Sequence, residues 1–208
     1  MSGWNRSKWR TLENTAKIFP ATSGKKDERV FRLSCQMTEE IWPEKLQKAL
    51  DRCMEEYTLF LCVLRRGLFW NYLEETELRP VVREEYKPPC SQLYVRDQKN
   101  LLFEVTYYKK RINFETYHAL TDGTGALQFV RSLVYFYLME VHPEKVKGPV
   151  SQVLADATEE EKAEDSFSKY YSEEARANDI PKYKAHQMKY HRLEYGGIRL
   201  TEGIISTE

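Results

Sequence analysis

Between Arg29 and Met37 the chain alternates: Val30, Phe31, Leu33, Cys35 and Met37 are apolar or thiol, and Arg32, Ser34 and Gln36 lie between them. A period of two predicts a strand. The period then changes. Thr38-Glu39-Glu40 offers a capping hydroxyl and first-turn acids, and predicts a helix start. From Ile41 to Tyr57 the apolar side chains fall at Ile41, Trp42, Leu46, Ala49, Leu50, Cys53, Met54 and Tyr57, a helical stripe able to lie on a sheet. Pro43 falls in the first turn, where a missing N–H costs little. Phe60 to Leu64 and Leu68 to Leu73 read as two strands, or one bent strand, around Arg65-Arg66-Gly67. Val81 to Glu85 reads as a short strand and Lys87-Pro88-Pro89 as a loop. Leu101 to Tyr108 and Ile112 to His118 form a β-hairpin turning at Lys109-Lys110-Arg111. In its second strand Ile112, Phe114, Thr116 and His118 share one face. A helix follows, from Gly123–Gly125 to Met139, apolar around most of its circumference and therefore buried.

The flanks differ from this body. Residues 1–28 read as a lead-in that Trp4, Trp9 and Phe19 pin down, with a turn at Gly24 to Asp27. Beyond His142-Pro143 come a loop-like stretch to 157, a charge-dense helical stretch over 158–178 and a basic, aromatic stretch over 181–195. Gly196-Gly197 then opens what reads as the start of a strand. Two units are therefore expected, a lobe over 1–142 and a linker or helical segment over 143–208.

Composition narrows the function. An apolar share of 41% supplies a packed core and excludes a disordered chain. Lys and Arg number 32, as do Asp and Glu, so no basic excess points to nucleic acid. Cys35, Cys53, Cys62 and Cys90 form no CxxC pair and read as reduced thiols of a cytoplasmic protein. The first ten residues carry no apolar signal core. Arg131 and Glu140 break the longest apolar run, Ala126 to Val141, which is also shorter than the roughly 18–20 residues of a membrane span. No P-loop, GxGxxG or GxSxG string is present. His186 and His191 share no helical face and have no acid to complete a metal set, so no metal is expected.

The chemistry concentrates in His118-Ala119-Leu120-Thr121-Asp122-Gly123. A lone histidine at a strand end is most often structural. One held at a cleft takes a proton from a hydroxyl, amine or thiol. Asp122 suits the N-cap of the following helix; a buried ion pair with an arginine is the other reading. Gly123 permits a backbone geometry that a Cβ would block.

His118-xxx-Asp122-Gly123, following a hairpin and opening an apolar helix, resembles the HxxxDG motif of the chloramphenicol acetyltransferase-like superfamily. Leu64-Arg65-Arg66-Gly67-Leu68-Phe69-Trp70 is similar to the N-terminal half of those proteins, and the Phe69 to Glu74 run most resembles bacterial alcohol acetyltransferase-type proteins. The resemblance covers residues 10 to 205. It implies an α+β fold, a two-layer α/β sandwich in which a mixed sheet carries helices on one face. It implies transfer of an acyl group from acyl-CoA to an alcohol or amine, with His118 as general base. Acyl-CoA would be a co-substrate, with no permanently bound cofactor. Asp122 would be structural, paired with Arg65 or, as the alternative, Arg66. Free N–H groups at the helix start near Gly123 would face a developing oxyanion. The basic stretch around Lys182 to Arg192 offers contacts for a CoA phosphate, or a solvated face.

The departures are equally informative. Condensation domains carry a second histidine before the motif histidine, and here that residue is Tyr117. Two-lobed members are longer, and their second lobe carries an Asp-Phe-Gly-type motif absent here. The chain therefore reads as a first lobe, pairing with a second lobe or forming a homo-oligomer. A non-catalytic interaction module is the alternative from a different functional class.

Overall fold

The computed structural model describes residues 9–24 and 28–146. Along the chain run β1 (Trp9–Thr11), α1 (Ile18–Thr22), β2 (Val30–Gln36), α2 (Pro43–Glu56), β3 (Cys62–Arg66), β4 (Asn71–Glu75), β5 (Arg83–Glu84), β6 (Phe103–Tyr108), β7 (Arg111–Tyr117) and α3 (Gly123–Val141). The expected readings beyond residue 146, His186 and His191 among them, lie outside the described residues, as do Trp4 and most of the Gly24 to Asp27 turn.

The fold is α+β, as the resemblance implied, but its strands divide between two sheets. A four-stranded sheet has the order β2-β7-β6-β5, and a three-stranded sheet has the order β1-β4-β3. All pairings are antiparallel except β5 with β6. The β6–β7 hairpin pairs Tyr108 with Arg111, and Lys109 adopts a positive φ of 50° to close it.

Both helices lie on one face of the larger sheet. Phe103, Val105, Ile112 and Phe114 point from the strands into a cluster with Leu46, Leu50 and Cys53 of α2 and Ala126, Phe129, Leu133 and Phe136 of α3. Phe129 is the centre of its aromatic part, stacked on Phe60 at 5.0 Å and tilted against Phe114 at 4.6 Å. The Tyr57 hydroxyl hydrogen-bonds Ser132 at 2.9 Å, tying the end of α2 to α3. A second cluster gathers Leu12, Cys62, Leu64, Leu73, Leu102, Tyr117 and Ala119.

Several boundaries depart from the pattern. Helix α2 is capped by the Trp42 backbone with Pro43 leading; Thr38 instead accepts the Lys110 ammonium through its carbonyl. Arg65 and Arg66 are strand residues paired with Tyr72 and Asn71, so the turn falls at Gly67 to Trp70. The lead-in contains both β1 and α1, and Trp9, though largely exposed, meets the body through the β1–β4 pairing and an edge contact with Tyr72.

The opposite face of the larger sheet is polar yet buried. Glu115 is 1% exposed and opposes Glu104 across the ladder. Its Oε1 accepts the Arg32 Nε–H at 2.7 Å and the Cys90 N–H at 2.6 Å, while Arg32 also donates to Glu85. Burial raises the Glu115 carboxyl above its ordinary range; the Cys90 N–H and Arg32 oppose that rise and Glu104 adds to it. The unfolded chain therefore ionises Glu115 first. This residue's contribution to stability is full below the ordinary value of 4.5 and is lost as pH rises through the higher folded value. Urea midpoints measured against pH should show wild type losing ground to Glu115→Gln as pH rises from 4.5 through the higher folded value, with no further loss beyond it. Glu115→Ala, which strips a half-buried arginine and a backbone N–H of their acceptor, should cost about 3 kcal/mol in urea unfolding.

Candidate functional site

His118 stands one residue past the end of β7. Its backbone N–H still reaches the Arg29 carbonyl at 2.9 Å, extending the β2 pairing by one step. The imidazole lies where the two apolar clusters meet. Phe19 of α1 stacks on it at 4.3 Å with 15° between planes, and Phe31 of β2 is tilted against it at 4.9 Å. Two aromatic walls therefore fix the ring plane.

Tyr117 secures one of those walls. Its hydroxyl bonds the Ser23 hydroxyl at 2.7 Å, just past the end of α1, the helix that carries Phe19. The Tyr117 ring is fully buried and stacked on Tyr94 at 5.4 Å. Burial pushes its phenol up to about 12, so it stays neutral and hydrogen-bonded at physiological pH. At this position the chain has a structural anchor in place of a second imidazole.

His118 itself is half-buried. Its Nδ1 is buried and has no hydrogen-bond partner among the described residues. Nε2 makes no hydrogen bond to a described residue and is not among the buried unpartnered atoms. For Nε2 to accept a proton Nδ1 must keep its own, and the described residues give that proton no acceptor.

Asp122 is the N-cap of α3. Its Oδ1 accepts the Gly125 N–H at 2.8 Å. The expected ion pair with Arg65 does not form: Arg65 donates its Nε–H to Glu74 at 2.6 Å, across the β3–β4 pair. Arg66, the alternative, forms no ion pair among the described residues. The reason is register. In β3 and β4 the Arg65 side chain meets a partner on the neighbouring strand, on the three-stranded sheet. The capping carboxylate also brings negative charge to the α3 N-terminus, which does not suit a developing oxyanion there.

The glycine requirement falls elsewhere than expected. A Cβ on Gly123 would meet nothing within 4 Å, whereas one on Gly125 would collide with Thr121 Oγ1. Gly125→Ala is therefore expected to destabilise the chain, and Gly123→Ala to be neutral or slightly stabilising. Asp122→Ala should cost about 1 kcal/mol through loss of the cap. Thermal midpoints of the three variants check all of this.

A cleft of about 370 Å³ runs along Leu78 to Val81, Arg83, Tyr86, Lys87 and strand β6, and His118 is not among the residues that line it. Among the described residues no group of three or more His, Cys, Asp or Glu is placed to hold a metal, and no helix is long and apolar enough to cross a membrane. All four cysteines are free; Cys53 and Cys62 are buried.

No family model and no curated protein matches the sequence. Solved structures do match its fold. The starter condensation domain of rhizomide synthetase RzmA superposes with a TM-score of 0.54 at 14% identity, over 71% of this chain and 43% of that one. The chain shares the fold of part of a condensation domain. A single-residue mutant of that starter domain, in complex with C8-CoA, gives 0.53 at 14% identity, over 71% and 40%. The first condensation domain of the calcium-dependent antibiotic synthetase, in complex with a substrate analogue, gives 0.50 at 10% identity, over 69% and 40%. The chain spans less than half the length of these structures.

The sequence does not reveal the walls of the site. Phe31 is visible as an apolar strand position, but only the β2–β7 register places it against His118. Phe19 lies in a segment that reads as lead-in. Glu115 is the polar member of an alternating strand, and nothing local signals that both faces of β7 are covered.

Proposed function

We propose that this lobe forms part of an acyltransferase that moves an acyl group from an acyl-CoA thioester to an alcohol or amine, with His118 as general base. The observation that carries the proposal is the ring itself: an imidazole at the end of β7, clamped between Phe19 and Phe31, with an Nε2 that no described residue hydrogen-bonds. An acceptor group seated at that nitrogen would pass its proton to Nε2 as its oxygen or nitrogen attacks the thioester carbonyl. Coenzyme A leaves as the thiol. The condensation-domain fold supports this reading, and a structure of that fold binding C8-CoA makes octanoyl-CoA the natural probe. Asp122 is assigned a structural part, setting the start of α3. Arg65 is assigned to the sheet and Gly123 no steric role.

The reading assigns the rest of the crevice to a second lobe or a second copy of the chain; the cleft along β6 takes no part in it. Incubating the chain with octanoyl-CoA and a panel of small alcohols and amines, and following CoA release by chromatography, tests the proposal. Acceptor-dependent release is expected from the wild type. Release no faster than the blank with every acceptor, together with no octanoyl-CoA binding in calorimetry, favours a non-catalytic interaction module.

A further inference from the structure

The β3–β4 turn breaks the usual rule for turns. The Gly67 N–H bonds the Trp70 carbonyl at 2.7 Å, leaving Leu68 and Phe69 as the two central residues. A Cβ on Gly67 would come within 2.8 Å of that carbonyl oxygen, so the closure is tight. Gly, Asn, Asp, Pro and Ser serve such positions. Here they hold leucine and phenylalanine, followed by tryptophan, and neither central residue has a positive φ. The side chains are 88%, 82% and 59% exposed at Leu68, Phe69 and Trp70. Three large apolar residues in a row at a protruding tip serve neither the turn nor the core, and contiguous exposed apolar surface of this kind marks an interaction site.

The surroundings define the partner. Arg66, exposed and opposite Asn71, forms no ion pair among the described residues. Glu74, the nearest acid on β4, is taken by Arg65. The base of the tip is therefore cationic. Behind it stands a second aromatic pair, Trp9 against Tyr72 at 6.2 Å, with Trp9 62% exposed. A knob of Leu-Phe-Trp with a cation and a Trp-Tyr pair at its base suits a bilayer interface: the apolar tip reaches the hydrocarbon boundary, and the cation and the amphipathic rings sit at headgroup level.

We propose that Leu68, Phe69 and Trp70 form a membrane-surface anchor that seats this lobe on anionic lipid, with Arg66 at the headgroup phosphates. The inference is independent of the acyl-transfer reading.

Flotation of the full chain with phosphatidylcholine vesicles, with and without phosphatidylglycerol, tests it. Wild type is expected to float with the anionic vesicles. L68S/F69S/W70S should float at least about ten-fold less, and Arg66→Glu should lose the preference for phosphatidylglycerol. Brominated lipid should quench wild-type tryptophan fluorescence, and Trp70→Phe should remove most of that quenching. This second readout decides the matter if the triple variant does not fold. Wild type remaining unbound, or floating equally well without its tip, overturns the proposal. So does concentration-dependent dimerisation lost in the triple variant without vesicle binding, which would make the tip a contact between copies.

Discussion

Phe129→Ala is expected to cost about 3–5 kcal/mol of folding stability. Phe129 is 0% exposed and touches four other aromatic rings. It stacks on Phe60, tilts against Phe114, and meets Phe103 and Tyr57 edge-on at 5.7 and 5.2 Å. Removing the ring leaves a cavity in the layer joining α3 to the four-stranded sheet, and those rings cannot all move in to fill it. A loss of this size is a large part of a domain's total stability of about 5–15 kcal/mol, so the variant should unfold at much lower urea. Leu127→Ala, two residues earlier on the same helix but 52% exposed, should change stability by no more than about 0.5 kcal/mol. Equal losses at the two positions would show that α3 does not bury the face described.

His118→Ala is expected to lower octanoyl transfer by about 10²–10⁴-fold while leaving the circular dichroism spectrum unchanged. The ring is half-buried and its Nε2 makes no hydrogen bond to a described residue, so its removal breaks no polar contact described in the fold. It does remove stacking against Phe19, so some loss of stability accompanies the loss of turnover. Phe19→Leu separates the two effects. It keeps the imidazole and most of the apolar contact but frees the ring plane, and should lower turnover less than His118→Ala. If His118→Ala retains wild-type turnover, the base lies elsewhere.

Long, strongly periodic segments are legible in the sequence. The alternation in 29–37 is β2, and the all-round apolar run after Gly123 is α3. Where period and local chemistry disagree, pattern and structure part. The hydrophobicity of Phe60 and Leu61 suggests a strand, yet Phe60 belongs to a short 3-10 turn whose ring serves the helix-side core. Leu68 and Trp70 read as strand residues because nothing local says that a turn will be made of leucine and phenylalanine. β1 is three residues long and α1 five, too short for any period to show. The division into two sheets depends on strand pairing at long range, which no window of sequence contains.

The site is legible in one residue and its cap. The pattern puts His118 at a strand end and Asp122 at a helix start, and the structure places both there. It does not assign partners. The motif alone pairs Arg65 with Asp122, and register gives Arg65 to Glu74 instead. The glycine that sterics demand is Gly125, two residues past the motif, because only the folded turn brings Thr121 against it. Phe19 and Phe31 come from separate segments and meet the imidazole only when β2 pairs with β7 and the Tyr117–Ser23 hydrogen bond holds the end of α1.

The most direct measurement is the ring-nitrogen NMR spectrum of His118, assigned by comparison with His118→Ala, before and after addition of octanoyl-CoA. A proton on Nδ1, an unprotonated Nε2 and a shift of the Nε2 signal on addition are expected of a base facing the thioester. A proton fixed on Nε2, or signals indifferent to the ligand, would contradict the role assigned to this imidazole.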